Sequence, residues 1–352
     1  METTEKKKRA TKKKQAGDSR RALWIIVVLI VLAIGAGCVG IFCMQSHSGG
    51  SVWMYIPADA SRGQVRDSLF SALGSKEGGR VYTIWRMAGG KPHTAHGAYR
   101  IDDGRTAIAV ARTLKRGAQT PVKTGFNGGR KLADVARKVT ANLECGEDDF
   151  LAACDKLLPE AGFKTAEFPA AFLPDTYEVY WTDSGERLVE RLLAHRNRFW
   201  NDERRAKAQA LGLNPVKTAT LASIVEEETA KTDERPTVAR LYLNRLKKGM
   251  LLQADPTVKF ATGNPRLRRI TNKHLKIDSP YNTYLHAGLP PGPIRVVSAS
   301  TLDAVLNAPD NPYIYMCARE DFSGYHNFAT DFATHSANAR RYQQELNRRG
   351  IR

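Results

Sequence analysis

Cysteine is scarce: five among 352 residues, with Cys38 and Cys43 inside an apolar N-terminal run and only Cys145, Cys154 and Cys317 in the rest. That excludes a disulfide framework. Cys145 and Cys154 either pair across a short loop or sit as buried thiols. No CxxC pairs occur, and His93 and His96 lie in a Gly/Pro-rich loop, GGKPHTAHG, so no metal site is expected. A GxSxG elbow is missing and no Cys stands with a His as a nucleophile pair, which sets aside a serine or cysteine hydrolase. Acidic residues are outnumbered, 36 against 54 basic ones, leaving a net charge of +18. Such a surplus suits nucleic acid, anionic lipid or an acidic polymer. Helix-turn-helix, RRM and zinc-finger patterns are missing, so no nucleic-acid partner is expected.

What is present is a globular composition, 42% hydrophobic and 26% charged, in a chain long enough for two folded units with a further segment in front. Residues 1–21 hold nine basic and three acidic side chains without apolar periodicity, the signature of a disordered basic tail. Residues 22–44, ALWIIVVLIVLAIGAGCVGIFCM, are uncharged and long enough to span a ~30 Å hydrocarbon core. A cleaved signal peptide has a shorter apolar core, so the run reads as a retained single-pass anchor. Lys and Arg crowd its N-terminal flank and are missing from 45–52, QSHSGGSV. The positive-inside rule then predicts a cytoplasmic tail, with 45–352 in the periplasm or cell-wall space.

After the polar linker, 45–51, the pattern alternates between strands and short helices. A strand is predicted at 52–57, a helix at 61–73, and a strand or further helix at 81–87. Strand-then-helix units come next at 97–116 and 120–143, a weak internal echo. Such units bind a polymer or only scaffold; the residues leave both open. A helix is predicted at 150–158, an extended segment after the turn in AFLPDTYEVY, and a long helical stretch at 184–212 broken near Trp200. The Arg187, Arg191, Arg196 and Arg198 face of that stretch reads as solvated.

The chemistry concentrates at 221–229, LASIVEEET, where an apolar helical stripe runs into three carboxylates. At about 100° per residue, Glu228 falls within the stripe of Leu221, Ile224 and Val225, Glu227 faces outward, and Glu226 lies on the flank. A glutamate in an apolar face loses hydration and its pKa rises, the environment of a general acid near neutral pH. The competing reading is a solvated helix end. A second helix at 233–248 carries Val238, Leu241, Tyr242 and Leu246 on one side, placing Glu228 at a helix–helix junction. Beyond it come QADPTV with Gln253 and Asp255, SPYNTY with Tyr281, Asn282 and Tyr284, and the rigid GLPPGPI. Irregular backbone lined by these side chains suits a sugar-binding groove; a well-capped loop region is the alternative. A helix at 300–308, strands at 313–317 and 325–330, and a C-terminal helix from His335 close the chain.

The ordered set AFLPDTY, ASIVEEET, LNRL, GMLLQADPTV, SPYNTY, GLPPGPI and HNFAT, with His335 after it, resembles the membrane-anchored endolytic murein transglycosylases of the YceG-like family, over residues 97–346. Ala254 departs from the pattern, in which a small hydroxyl residue is frequent there. The resemblance implies an α+β fold with a transmembrane helix, LysM-like subdomains at 52–145 and a catalytic domain at 146–352. It also implies cleavage of the MurNAc–GlcNAc β-1,4 bond within nascent glycan strands, leaving 1,6-anhydro ends and ending strand elongation. Glu228 matches the family's essential glutamate, with Glu226 in reserve. Gln253, Asp255, Tyr281, Asn282 and Tyr284 are the supporting or substrate-binding candidates. Glycan strands, the membrane and wall synthases are the partners implied, and no cofactor is called for. Two alternatives stay open: a hydrolase acting on the same bond, and a non-catalytic, membrane-anchored peptidoglycan-binding scaffold.

Overall fold

The structure is a computed structural model that describes residues 2–264, 266, 267 and 269–350, with side chains from position 21 onward except at 22. It is mixed α+β, with small two-stranded sheets among many helices. The first helix, α1, runs Glu2–Met44, so the tail expected to be disordered continues the helix. Lys, Arg, Glu and Ala have good helix propensity and extend a helix already nucleated by the apolar run. Within α1, Leu23–Met44 is long and apolar enough to cross a membrane. The chain falls into two compact units, Met1–Pro121 and Val122–Arg352.

In the first unit, β1 (Val52–Ile56) pairs antiparallel with β2 (Gly97–Ile101), Val52 opposite Ile101. Period-2 alternation sends Met54 and Ile56 into the core and leaves Trp53 and Tyr55 exposed. Between the strands run α2 (Arg62–Met87) and the single turn α3 (Pro92–Ala95). Ser61 and Gln64 cap α2 reciprocally. The separate pieces expected at 61–73 and 81–87 are both helical, divided at Gly74, whose φ of 76° is left-handed. A Cβ at Gly78 would lie 2.5 Å from the Leu69 carbonyl oxygen, so only glycine lets the second half of α2 fold against the first. The unit is closed by α4 (Ala107–Arg116), capped by Thr106 and ended by left-handed Gly117. Leu69, Val81, Trp85, Tyr99 and Leu114 fill its core.

The start of the linker is not loose. His47 donates its amide to the Arg105 carbonyl at 2.8 Å, Ala107 donates to the Gln45 carbonyl at 2.9 Å, and Ser46 bridges Thr106. His47 Nδ1 lies 2.8 Å from Glu77.

The second unit opens with β3 (Val122–Phe126), α5 (Leu132–Thr140), α6 (Glu147–Glu160), a 3-10 turn at Thr165–Ala171 and β4 (Asp175–Val179). β3 pairs antiparallel with β4, Val122 opposite Val179. The strand–helix echo therefore has a different meaning: β2 and β3 are not paired, and each belongs to its own strand–helix–helix–strand arrangement. The stretch 52–145, expected to hold LysM-like subdomains, is divided at Pro121, and residues 122–145 lie in the unit that continues to the C-terminus. Cys145 and Cys154 are free thiols, Cys154 buried.

The rest comprises α7 (Gly185–Phe199), α8 (Asp202–Ala210), α9 (Pro215–Glu228), α10 (Arg235–Lys247), α11 (Asp255–Ala261), α12 (Ala299–Leu306), the antiparallel β5 (Tyr315–Ala318) and β6 (His326–Ala329), and α13 (Phe332–Arg348). The basic face of α7 is not uniformly solvated. Arg196 is buried, donates to the Ala170 carbonyl at 3.2 Å and lies over the Phe163 ring, while Arg191 holds Asp183 at 3.1 Å. A guanidinium covers apolar surface with its stem while its planar head finds acceptors.

Candidate active site

Helix α9 is the spine of the site. Asn214 caps it by accepting the Lys217 amide at 2.8 Å, and Pro215 occupies its first turn. Every residue from Thr218 to Val225 is buried, so the helix meets solvent only at its ends, at Lys217 in the first turn and in the last turn of glutamates. The helix stops at Thr229, whose extended backbone turns the chain toward α10. Thr229 Oγ1 donates to Glu234 at 3.0 Å, and Glu234 also accepts the His326 amide at 2.7 Å and faces His326 Nδ1 at 2.8 Å. The α9–α10 junction is thereby fastened to β6.

The three glutamates of the last turn have three environments. Glu226, whose side chain is 8% exposed, accepts from Ser298 Oγ at 2.6 Å, from the Ser298 amide at 3.2 Å and from Thr301 Oγ1. Arg295 Nε lies 3.2 Å from it and Arg235 Nη1 3.8 Å. It ties α9 to the start of α12 instead of lining a cleft edge. Glu227 was expected to face outward; its side chain is 15% exposed and pairs with Arg295 Nη1 at 2.7 Å and with Arg130. Glu228 differs from both: its Oε2 is buried with no hydrogen-bond partner among the described residues.

Burial pushes the Glu228 carboxyl up to about 7, and the negative charge of Asp255 adds to the rise. A hydrogen bond from the Tyr242 hydroxyl and the charge of Arg245 oppose it. Arg245 is itself held by the carbonyls of Ile314 at 2.6 Å and Leu252 at 2.7 Å. Glu228 and Asp255 line one open cleft of about 1150 Å³, together with Glu227, Arg130, Lys259 and, from α13, Gln343.

The candidates beyond Glu228 separate into two groups. Asp255 begins α11 and accepts the Tyr284 hydroxyl at 2.7 Å, so Tyr284 aims the second carboxylate of the cleft. Gln253 is exposed just before α11, with φ 48° and its amide on the Thr283 carbonyl at 3.0 Å. A left-handed conformation is uncommon outside glycine and is held here by its surroundings. Tyr281 packs against Phe260, ring centroids 4.7 Å apart.

Asn282 has another task. It is fully buried, donates to the Leu275 and Ile277 carbonyls at 3.0 and 2.8 Å, and accepts the Tyr284 amide at 3.0 Å. With both ends of its amide engaged, it clamps a loop and offers nothing to a sugar. GLPPGPI likewise braces α9: the Ile294 amide donates to Ser223 Oγ at 3.0 Å, and Gly292 sits where a Cβ would meet the Ala166 carbonyl oxygen at 1.8 Å.

Sequence reasoning assigned no site role to Tyr242, Arg245, Arg130, Arg295 and Lys259. Tyr242 carried a signal, since a hydroxyl within the apolar stripe of α10 needs a buried partner.

The profile of the YceG-like family matches residues 54–341. The chain belongs to the YceG-like family. Among curated relatives, an endolytic murein transglycosylase of Bacillus subtilis is 29% identical over 230 residues, covering 63% of this chain and 62% of that protein. One from Streptococcus pneumoniae is 31% identical over 150 residues, 41% of this chain and 27% of the relative. This YceG-like chain therefore matches less than two thirds of the length of either relative. The crystal structure of a yceG-like protein from Listeria monocytogenes superposes with a TM-score of 0.52 at 24% identity, covering 82% of this chain and 99% of that one, a likeness of fold.

Proposed function

We propose that this protein is a membrane-anchored endolytic murein transglycosylase whose general acid and base is Glu228. The observation that carries the reading is the buried, unpartnered Oε2 of Glu228 on an open cleft, with the carboxyl raised to about 7. The names of the relatives supply the substrate. Protonated Glu228 gives its proton to the glycosidic oxygen as the bond to muramoyl C1 breaks. The resulting carboxylate takes the proton of the muramoyl C6 hydroxyl as O6 closes on C1, forming the 1,6-anhydro ring and restoring the acid. The muramoyl N-acetyl group supports the oxocarbenium-like centre, so a single acid/base suffices, unlike the usual carboxylate pair. Asp255, held by Tyr284, raises the proton affinity of Glu228 instead of attacking.

The two strand–helix–helix–strand arrangements, at 52–101 and 122–179, support reading them as LysM-like subdomains. Basic residues before the apolar helix and none in 45–51 support a cytoplasmic N-terminus and a catalytic unit outside the cytoplasmic membrane. A cut within a nascent strand ends its elongation, and wall synthases in the same membrane are the partners this reading implies.

Mass spectrometry of fragments released from peptidoglycan tests the reaction. Fragments ending in 1,6-anhydro-muramic acid are expected; reducing ends identify a hydrolase, and binding without cleavage identifies a scaffold. The acid role also sets a pH dependence. Because protonated Glu228 starts the reaction, cleavage is expected to fall as pH rises through about 7. Tyr242→Phe removes a hydrogen bond that favours the carboxylate, so the fall should move to higher pH. A pH–rate profile of a folded variant with an unmoved alkaline limb rejects this role for Tyr242.

A further inference from the structure

Beside the cleft lies a small pocket of about 140 Å³. Pro256, Phe260 and Ile294 give it apolar walls, and Arg130, Lys131 and Lys259 bring three cations to it. The pocket and the cleft share Arg130, Glu227, Pro256 and Lys259. Arg130 is committed to Glu227. Among the described residues, neither Lys131 nor Lys259 forms an ion pair. Two uncommitted ammonium groups at an apolar pocket fit a ligand that joins a small apolar group to a carboxylate. The hexosamine rings are neutral and offer no such group, and in a stem-bearing strand the lactyl carboxyl of the muramoyl ring is tied up as an amide. The peptide stem of a muramoyl residue does, as an alanyl methyl next to the free carboxylate of an acidic residue.

Position agrees with chemistry. Glu227 lines the pocket and the cleft, and Glu228 is the next residue along α9. The proposed reaction breaks the bond at C1 of a muramoyl ring, and the stem leaves the same ring through its lactyl group at C3. A pocket that begins one residue from the acid is within reach of the stem on the sugar being cut. We propose that this pocket receives that stem, with Lys131 and Lys259 taking its carboxylate, so that the substrate is a stem-bearing glycan strand and not a denuded one. The proposal rests on the murein reading above.

Binding measured apart from turnover tests it. The full chain carrying Glu228→Gln is titrated with soluble glycan strands bearing stems, with the same strands stripped by an amidase and their exposed lactyl carboxylates then converted to amides, and with strands whose stem carboxylates are amidated. Stem-bearing strands are expected to bind about tenfold more tightly than stripped ones, and amidated strands to behave as stripped ones do. Adding Lys131→Ala and Lys259→Ala should bring the ratio close to one. Equal affinity for bearing and stripped strands, or a ratio that the double substitution leaves in place, overturns the subsite. The reaction is judged separately by the fragments of the wild-type protein. Anhydro ends with no stem preference in binding keep the reaction and remove the subsite; a stem preference without cleavage does the opposite.

Discussion

Glu228→Gln is expected to lower peptidoglycan cleavage by about a thousandfold or more, and at the same time to make the protein more stable above neutral pH. The first effect comes from losing both proton transfers, each of the kind worth about 10²–10⁴ in rate. The second comes from the cost of burying a carboxylate. In the folded protein Glu228 holds its proton up to about pH 7, against an ordinary value of 4.5. Below pH 4.5 both folded and unfolded chains carry the proton and the buried acid costs nothing extra. As pH rises toward 7 the unfolded chain ionises first, and folding stability falls by an amount on the order of 1–3 kcal/mol. Glutamine has the same shape and no charge to desolvate. Urea unfolding should therefore find the variant clearly more stable than wild type at about pH 8 and nearly equal to it at about pH 4. A stability difference of the same size at both pH values would falsify the buried-acid account, whatever the activity does.

Glu226→Ala is expected to be the reverse: a loss of fold. Its carboxylate is the common acceptor for Ser298, Thr301, Arg295 and Arg235, and it joins the last turn of α9 to the start of α12. Removing one partner of a buried charged cluster costs about 3–5 kcal/mol, because the remaining charges stay buried without compensation. Arg295 keeps its contact with Glu227, whereas Arg235 Nη1 is left, among the described residues, with the neutral Thr301 hydroxyl as its acceptor. Thermal and urea unfolding read the loss directly. If Glu226→Ala costs less than about 1 kcal/mol, Glu226 is behaving as an exposed surface acid and the anchoring role is wrong.

The line between what the sequence disclosed and what it hid tracks the range of the interactions involved. Helix α9 and the apolar placement of Glu228 were legible because a helical face is set by residues within a few positions of one another. The same holds for the helix expected at 61–73 and the strands expected at 313–317 and 325–330, each set by neighbours in the sequence. Strand pairing was not legible for β2 and β3. Each has a partner more than forty positions away, and nothing in GAYRI or TPVKT names that partner. Which of its two expected roles Asn282 takes was hidden for a related reason: an asparagine in a polar loop looks free until the carbonyls of Leu275 and Ile277 are seen to close on it. Glu226 and Glu227 share one local composition, and only the arrival of Arg130, Arg235 and Arg295 from elsewhere separates an anchor from a cleft wall. The basic tail read as disordered because periodicity is the signal of a buried face, and a helix with no face to bury has none.

The pinning of residues 45–47 to 105–107 bears on how the first unit follows its N-terminal helix. A free seven-residue Ser/Gly tether would let the first unit wander over roughly 15 Å from the end of its helix. With the start of that tether sewn down by the His47 and Ala107 amides, much of this slack is gone. Under the proposed anchorage the first unit moves with each tilt and rotation of the span. The protein then patrols the membrane plane as a vehicle with a stiff mount, and the depth of wall that its first unit samples is set by the bilayer more than by the length of a leash.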